Sequence, residues 1–211
     1  MIYNDPQLVH IVQQVVEVAG TLAFAVSGIR HAAAKHFDWF GGYVCGIAVA
    51  IGGGTIRDLI LGVPPFWTTD ISYLLFTGLA LLLTIASRKM MKKLDNAWFV
   101  FDTLGLAAFT IAGLQKTVEL GHPFWMAIVL GCITGVAGGV IRDVLLNNVP
   151  VIFHKEIYAM ASVAGGLLYW LLYSISFSLP FVVIATFLFI CVIRFLAVYY
   201  HLSLPTLHDE R

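Results

Sequence analysis

Seven stretches of this chain, roughly 8–28, 40–61, 71–87, 97–114, 124–146, 157–175 and 181–200, are almost continuously apolar. Crossing the hydrocarbon core of a bilayer takes about 20 such residues in helical form. No water is present there to hydrogen-bond free backbone groups, so only helices and closed barrels can span it. With 60% hydrophobic and 11% charged residues among 211, and a mean hydropathy of +0.90, the chain does not read as a water-soluble domain. Connections of only about ten residues leave no room for a folded soluble unit between the spans. The fold expected is an all-α integral membrane protein with seven transmembrane helices, a single transmembrane domain over 1–211.

Orientation follows from the basic residues of the connections. Counted on alternate sides, Arg30, Lys35, Arg88, Lys89, Lys92, Lys93, Lys155 and Arg211 fall on one face. Lys116 stands alone among clear loop positions on the other. The positive-inside rule then predicts a multi-pass protein of the cell (cytoplasmic) membrane with its N-terminus outside and its C-terminus in the cytoplasm. The run from Arg88 to Lys93 also suits contact with anionic lipid headgroups. The first span, preceded by Asp5 and lacking a basic leader, reads as a retained helix. Cys45, Cys132 and Cys191 each fall inside an apolar span, without CxxC spacing, and read as small buried hydrophobes. Nothing in the pattern calls for a metal, a cofactor or a nucleic-acid partner, and no nucleophile-base pair or phosphate loop suggests an enzyme.

The chain repeats itself. Gly53-Gly-Thr-Ile-Arg-Asp58 returns as Gly138-Gly-Val-Ile-Arg-Asp143, displaced by 85 positions. The same ungapped offset pairs Gly20 with Gly105, Phe24 with Phe109, Gly28 with Gly113, Gly46 with Gly131, Pro65 with Pro150, Tyr73 with Tyr158, and the acids Glu17 with Asp102. So many matches at one offset indicate an internal duplication: repeat one over about 9–88, repeat two over about 94–175, and a seventh helix over about 181–200. Three helices per copy is an odd number, so the second copy is expected to enter the membrane from the opposite side. Inverted repeats of this kind serve the movement of small solutes or ions, with the site at interrupted helices in matching positions.

Gly52, Gly53 and Gly54 in the second span, and Gly138 and Gly139 in the fifth, are the candidate interruptions. A glycine cluster lets a membrane helix kink or unwind, and Thr55, three residues before Asp58, has the spacing of a capping box that restarts a helix. On that reading Asp58 and Asp143 lie in the first turn of a half-helix. The alternative is close helix packing through small residues. As kinks, the glycines mark a functional bend in each of the two helices.

Ionisable residues inside a membrane span mark pathways or partners. Each copy offers one base and two acids: Arg57, Asp58 and Glu17, then Arg142, Asp143 and Asp102. These are candidates for pore-facing or ion-paired roles. Against this stand snorkelling of the arginines to the headgroups, an interfacial Glu17 and a helix-start Asp102. The excess of carboxylate in each copy favours cations over anions. Thr21, Ser27, Thr110 and Thr134 are candidates for lining a water path or for bonding helix to helix.

The doubled Gly-Gly-x-x-Arg-Asp motif, in two three-helix repeats plus one helix, resembles the prokaryotic trimeric intracellular cation (TRIC) channels. The resemblance implies a homotrimer with one pore in each protomer, permeable to monovalent cations such as potassium and sodium and gated at the glycine kinks of the second and fifth helices, so leucine at Gly53 and Gly138 is expected to abolish flux in a folded protein. It also implies membrane lipids as surroundings, with Arg57, Asp58, Arg142 and Asp143 fixing the broken helices or bordering the pore. Thr55 facing Val140 and Gly62 facing Asn147 set the two halves apart. A carrier of a small polar solute such as glycine is the alternative that inverted repeats serve equally well.

Overall fold

Each apolar window forms a helix in the computed structural model, which describes residues 6–87, 97–153 and 157–202. The helices are α1 (Pro6–Ala34), α2 (Trp39–Ile60), a single turn α3 (Phe66–Thr69), α4 (Ser72–Ala86), α5 (Ala97–Glu119), α6 (Phe124–Leu145), α7 (Ala159–Ser174) and α8 (Leu179–Tyr199). A 3₁₀ turn at Val151–Phe153 stands where α3 stands in the first half. No strand occurs among the described residues. By length and hydropathy α1, α2, α6 and α8 suffice to cross a membrane, whereas α4 and α7 are apolar but only 15 and 16 residues long. The basic run at 88–93 and Lys155 lie outside the described residues.

Two helices outrun their apolar windows. α1 continues to Ala34 and α5 to Glu119; in α5 the polar residues at the end of the window are covered by protein. Gln115 and Thr117 are buried. Lys116, counted above among loop cations, therefore belongs to the last turn of α5.

The centre is formed by α1, α2, α5 and α6, which make the most extensive contacts. There the offset of 85 returns as geometry. A Cβ on Gly20 would meet the ring of Phe109, and one on Gly105 would meet the ring of Phe24. The two rings stack at 5.4 Å between centroids. A Cβ on Gly53 would collide with the carbonyl of Thr134, and one on Gly138 would lie 2.7 Å from the carbonyl of Val49. Position 20 thus meets 109 and 24 meets 105, while 49 meets 138 and 53 meets 134. The registers descend as they ascend, so α1 and α5 cross antiparallel, as do α2 and α6.

Neither helix is unwound at its glycines. α2 is helical throughout Trp39–Ile60 and α6 throughout Phe124–Leu145. Thr55 does not cap a new helix. Its hydroxyl donates back to the Ile51 carbonyl at 2.7 Å, as a mid-helix threonine does. Asp58 and Asp143 consequently sit in last turns, not first. The glycines let two helical backbones approach closely: a broken ladder at this depth would strand amide groups, while a bare Cα lets the opposing carbonyl in.

Both helices end in the same way. Gly62 (φ 70°) and Asn147 (φ 54°) occupy the left-handed region. Val63 N–H donates to the Asp58 carbonyl at 3.0 Å and Asn148 N–H to the Asp143 carbonyl at 2.8 Å, the long bond of a Schellman cap. Gly62 and Asn147, expected above to set the halves apart, do one job, since both residue types tolerate that conformation. Ser176 holds the same conformation (φ 63°) at the end of α7 and is exposed. Ser176→Gly is expected to raise stability by about 1 kcal/mol by removing that backbone cost, seen as a higher melting temperature in detergent.

Candidate functional site

The six charged residues singled out in the sequence gather into two clusters. In the first, Arg57 and Asp58 come from the last turn of α2. Arg57 Nε donates to Asp58 Oδ1 at 2.8 Å and Nη1 to Glu17 Oε1 of α1 at 3.3 Å. Lys116 Nζ lies 2.9 Å from Asp58 Oδ1, and the Tyr73 hydroxyl of α4 donates to Glu17 Oε2 at 3.0 Å. Asp58 Oδ2 accepts the Phe66 N–H at 2.8 Å, pinning the turn of α3 to the end of α2. The Arg57 guanidinium stands 5.6 Å from the centroid of the Phe66 ring.

The second cluster repeats the first from α6, α5 and α7. Arg142 Nε donates to Asp143 Oδ1 at 2.9 Å. Its Nη1 pairs with Asp102 Oδ1 and donates to Ser27 Oγ of α1 at 3.0 Å. The Tyr158 hydroxyl donates to Asp102 Oδ1 at 3.4 Å, and Asp143 Oδ2 accepts the Val151 N–H at 3.1 Å. Arg194 of α8 stacks over the rings of Tyr158, at 4.7 Å, and Phe99, at 5.2 Å.

Arg57 and Arg142 are at most 1% exposed, so neither snorkels to the membrane surface. Glu17 and Asp102 are buried too, neither an interfacial acid nor a bare helix start. A carboxylate in a last turn faces the unfavourable end of the helix macrodipole. Asp58 and Asp143 are held there by the guanidinium next to them in sequence and by a backbone N–H from the chain beyond the helix. The charge balance of the first half also needs correction: Lys116 offsets the excess carboxylate counted from sequence. Losing one hydroxyl from this network is expected to cost about 1 kcal/mol, so Tyr73→Phe should melt measurably below wild type.

A cavity of about 320 Å³ opens onto the first cluster, with His10, Glu17, Asp70, Tyr73, Lys116 and Glu119 in its wall. Asp70, between α3 and α4, accepts the Ser72 N–H at 2.9 Å, and its hydrogen bonds with Ser72 hold its carboxyl below the usual range.

The glycines lie at helix crossings beside the clusters. Gly53 and Gly138 are at the crossing of α2 and α6, Gly52 faces Ile141, Gly54 faces Phe66, and Gly139 faces the Tyr158 hydroxyl at a Cβ distance of 2.7 Å. Among the hydroxyls, Ser27 joins the second cluster, Thr21 and Thr134 bond within their own helices, and Thr110 pairs with Ser162. Lys116 and Phe66 carried no sequence signal for their roles. Tyr73 and Tyr158 did, as a matched pair at the repeat offset.

These observations define an all-helical, multi-pass membrane protein organised around two matched, buried ion-pair clusters. The family model described as Glycine transporter matches it twice, over residues 14–89 and 99–174, and the chain belongs to that family. The two matches begin 85 residues apart, the offset of the repeat. A UPF0126 membrane protein of Vibrio cholerae is 37% identical over 195 residues, covering 90% of this chain and 81% of that protein. The UPF0126 inner membrane protein YadS of Escherichia coli K12 is also 37% identical over 195 residues, covering 90% and 93%. Among solved structures, the TRIC trimeric intracellular cation channel orthologue of Rhodobacter sphaeroides superposes with a TM-score of 0.85 at 28% identity, covering 90% of this chain and 99% of that one. The resemblance to prokaryotic TRIC channels seen in the motif thus extends to the whole fold, and the neighbours of known structure are channels, not enzymes.

Proposed function

We propose that this protein is a monovalent cation channel, permeable to potassium, with a pore in each protomer of a homotrimer. The observation that carries this reading is the pair of buried charge clusters at the C-terminal ends of two antiparallel helices. On this reading one cluster lies toward each membrane face, with the close glycine crossing of α2 and α6 between them. The halves over 9–88 and 94–175 are inverted repeats, which the descending registers of α1 with α5 and α2 with α6 support; the seventh helix completes a single transmembrane domain. A cation enters past Glu17, Asp58 and Lys116, and leaves past Asp102 and Asp143, in the order the driving force sets. Conduction is gated where α2 and α6 cross, at Gly52, Gly53, Gly54, Gly138 and Gly139, because a small change in that crossing separates or closes the walls. The N-terminus faces outward and the C-terminus the cytoplasm, with lipid around the exposed apolar helix faces. A structural neighbour named as a trimeric cation channel supports both the ion and the assembly.

A carrier of glycine is the second reading. The description of the family favours it, and a mixed-charge cavity of about 320 Å³ has room for a zwitterion of that size. Proteoliposomes separate the two. The channel reading expects potassium flux that does not saturate and no accumulation of labelled glycine. Saturable glycine uptake without potassium conductance overturns it.

A further inference from the structure

Lys116 is the member of the first cluster that the first half does not supply. Glu17, Arg57 and Asp58 come from α1 and α2, whereas Lys116 reaches them from α5. Its ammonium lies 2.9 Å from Asp58 Oδ1. Asp58 does not depend on it, because Oδ1 also accepts from Arg57 Nε at 2.8 Å and Oδ2 from the Phe66 N–H at 2.8 Å. Among the described residues, the matching Asp143 is held by Arg142 Nε and the Val151 N–H, without a lysine. Exposure also separates Lys116 from its partners. The side chains of Arg57 and Asp58 are fully buried, while that of Lys116 is 17% exposed and forms part of the wall of the cavity of about 320 Å³. A lysine carries a compact charge on a flexible four-carbon stem, so the ammonium can leave Asp58 without movement of the backbone. Glu119 stands three residues further along α5, on the same helix face and in the same cavity wall. It offers the ammonium a second carboxylate on the cavity side. In charge and position, the ammonium is the equivalent of a monovalent cation held at Asp58.

We propose that Lys116 is a tethered competitor of the permeant cation: its ammonium occupies Asp58 at rest, and an ion passing the first mouth displaces it toward Glu119. This rests on the channel reading above. Lys116 then sets both the ion preference and the low-salt conductance of that mouth. With it in place the charges of the cluster cancel, Glu17 and Asp58 against Arg57 and Lys116. Without it one net negative charge stands beside the cavity, and cations gain on anions there.

The test is the conductance and the cation-to-anion permeability ratio of wild type, Lys116→Met and Lys116→Arg in planar bilayers, at low and at high KCl. Lys116→Met should raise the permeability ratio at least about twofold, the scale of one charge a few ångströms from the path. Its conductance should rise severalfold at low salt and little at high salt, where ions outcompete the tether and screen its charge. Lys116→Arg should conduct less than wild type at low salt, since a guanidinium fork grips a carboxylate more firmly than an ammonium. A Lys116→Met channel whose low-salt conductance and permeability ratio are unchanged or lowered overturns the role of Lys116 while leaving the channel reading intact. Reductive methylation of the wild-type protein, read at Lys116 by mass spectrometry, supplies a measurement that depends on no variant and no current. At equal ionic strength Lys116 should be modified severalfold faster in KCl than in choline chloride, whose methylated nitrogen cannot come as close to a carboxylate. Equal rates in the two salts overturn the proposal. Folded protein that passes no cation current, wild type and variants alike, overturns the channel reading and the proposal with it.

Discussion

Leucine at Gly53 is expected to yield no folded protein. The bare Cα of Gly53 faces the backbone carbonyl of Thr134, and even a methyl group built there would occupy the space of that oxygen. A side chain in the way can rotate aside; a carbonyl held in a helical ladder cannot. α2 and α6 would have to separate, which would also open the contact of Gly138 with Val49 and that of Gly52 with Ile141. Overpacking a tight core typically costs about 1–3 kcal/mol and sometimes more, and Gly53→Ala should already fall at or above the top of that range. Gly78→Ala is the control, since its Cβ would find nothing closer than 3.9 Å. Its replacement should be neutral or raise stability by up to about 1 kcal/mol, the difference between the two residues in a helix. Melting curves and gel filtration in detergent read both. A well-folded Gly53→Leu protein would show that the helices do not cross as closely as described. For the same reason, leucine at these positions cannot test gating in an intact protein, contrary to what the sequence suggested; the hinge has to be probed from flanking positions.

Removing Arg142 is expected to be the most damaging change to a single charge. The guanidinium bonds Asp143, Asp102 and Ser27 at once and is 1% exposed. Arg142→Ala leaves two buried carboxylates without their principal cation, a loss typically worth about 3–5 kcal/mol. Arg142→Lys should recover only part of it, because one ammonium cannot reproduce a planar fork directed at two partners. Replacing the group together, as Arg142→Met with Asp102→Asn and Asp143→Asn, should restore most of the stability, since the desolvated charges leave with it. Conduction should not return in that variant. Full recovery of stability with full conductance would mean that the cluster serves the fold alone.

Much of this architecture is legible from residues alone. Seven apolar windows locate seven helices, and a shift of 85 places Tyr73 with Tyr158 and Arg57 with Arg142 before any coordinates are seen. The glycine clusters are where reading a sequence falls short. Gly52 to Gly54 are compatible with a broken helix or a close crossing, and the difference is made by Thr134 and Ile141 on the opposing helix, which sequence order does not bring near. Assuming a break then inverted the surroundings of Asp58, placing it at a helix start when it sits in a last turn. Lys116 was misplaced for a related reason. A lysine near the end of an apolar window resembles a loop residue, and only packing reveals that Asp58 of the other half is its partner. The helix ends were the reverse case. Gly62 and Asn147 look like a departure from symmetry, yet the left-handed cap accepts either.

The most direct test of the central claim is the reversal potential of the purified, assembled protein in a planar bilayer under a KCl gradient. The proposed cation channel predicts a value close to the potassium equilibrium potential at neutral pH. A reversal potential at zero or on the chloride side, or silence from protein shown to be folded, would contradict it.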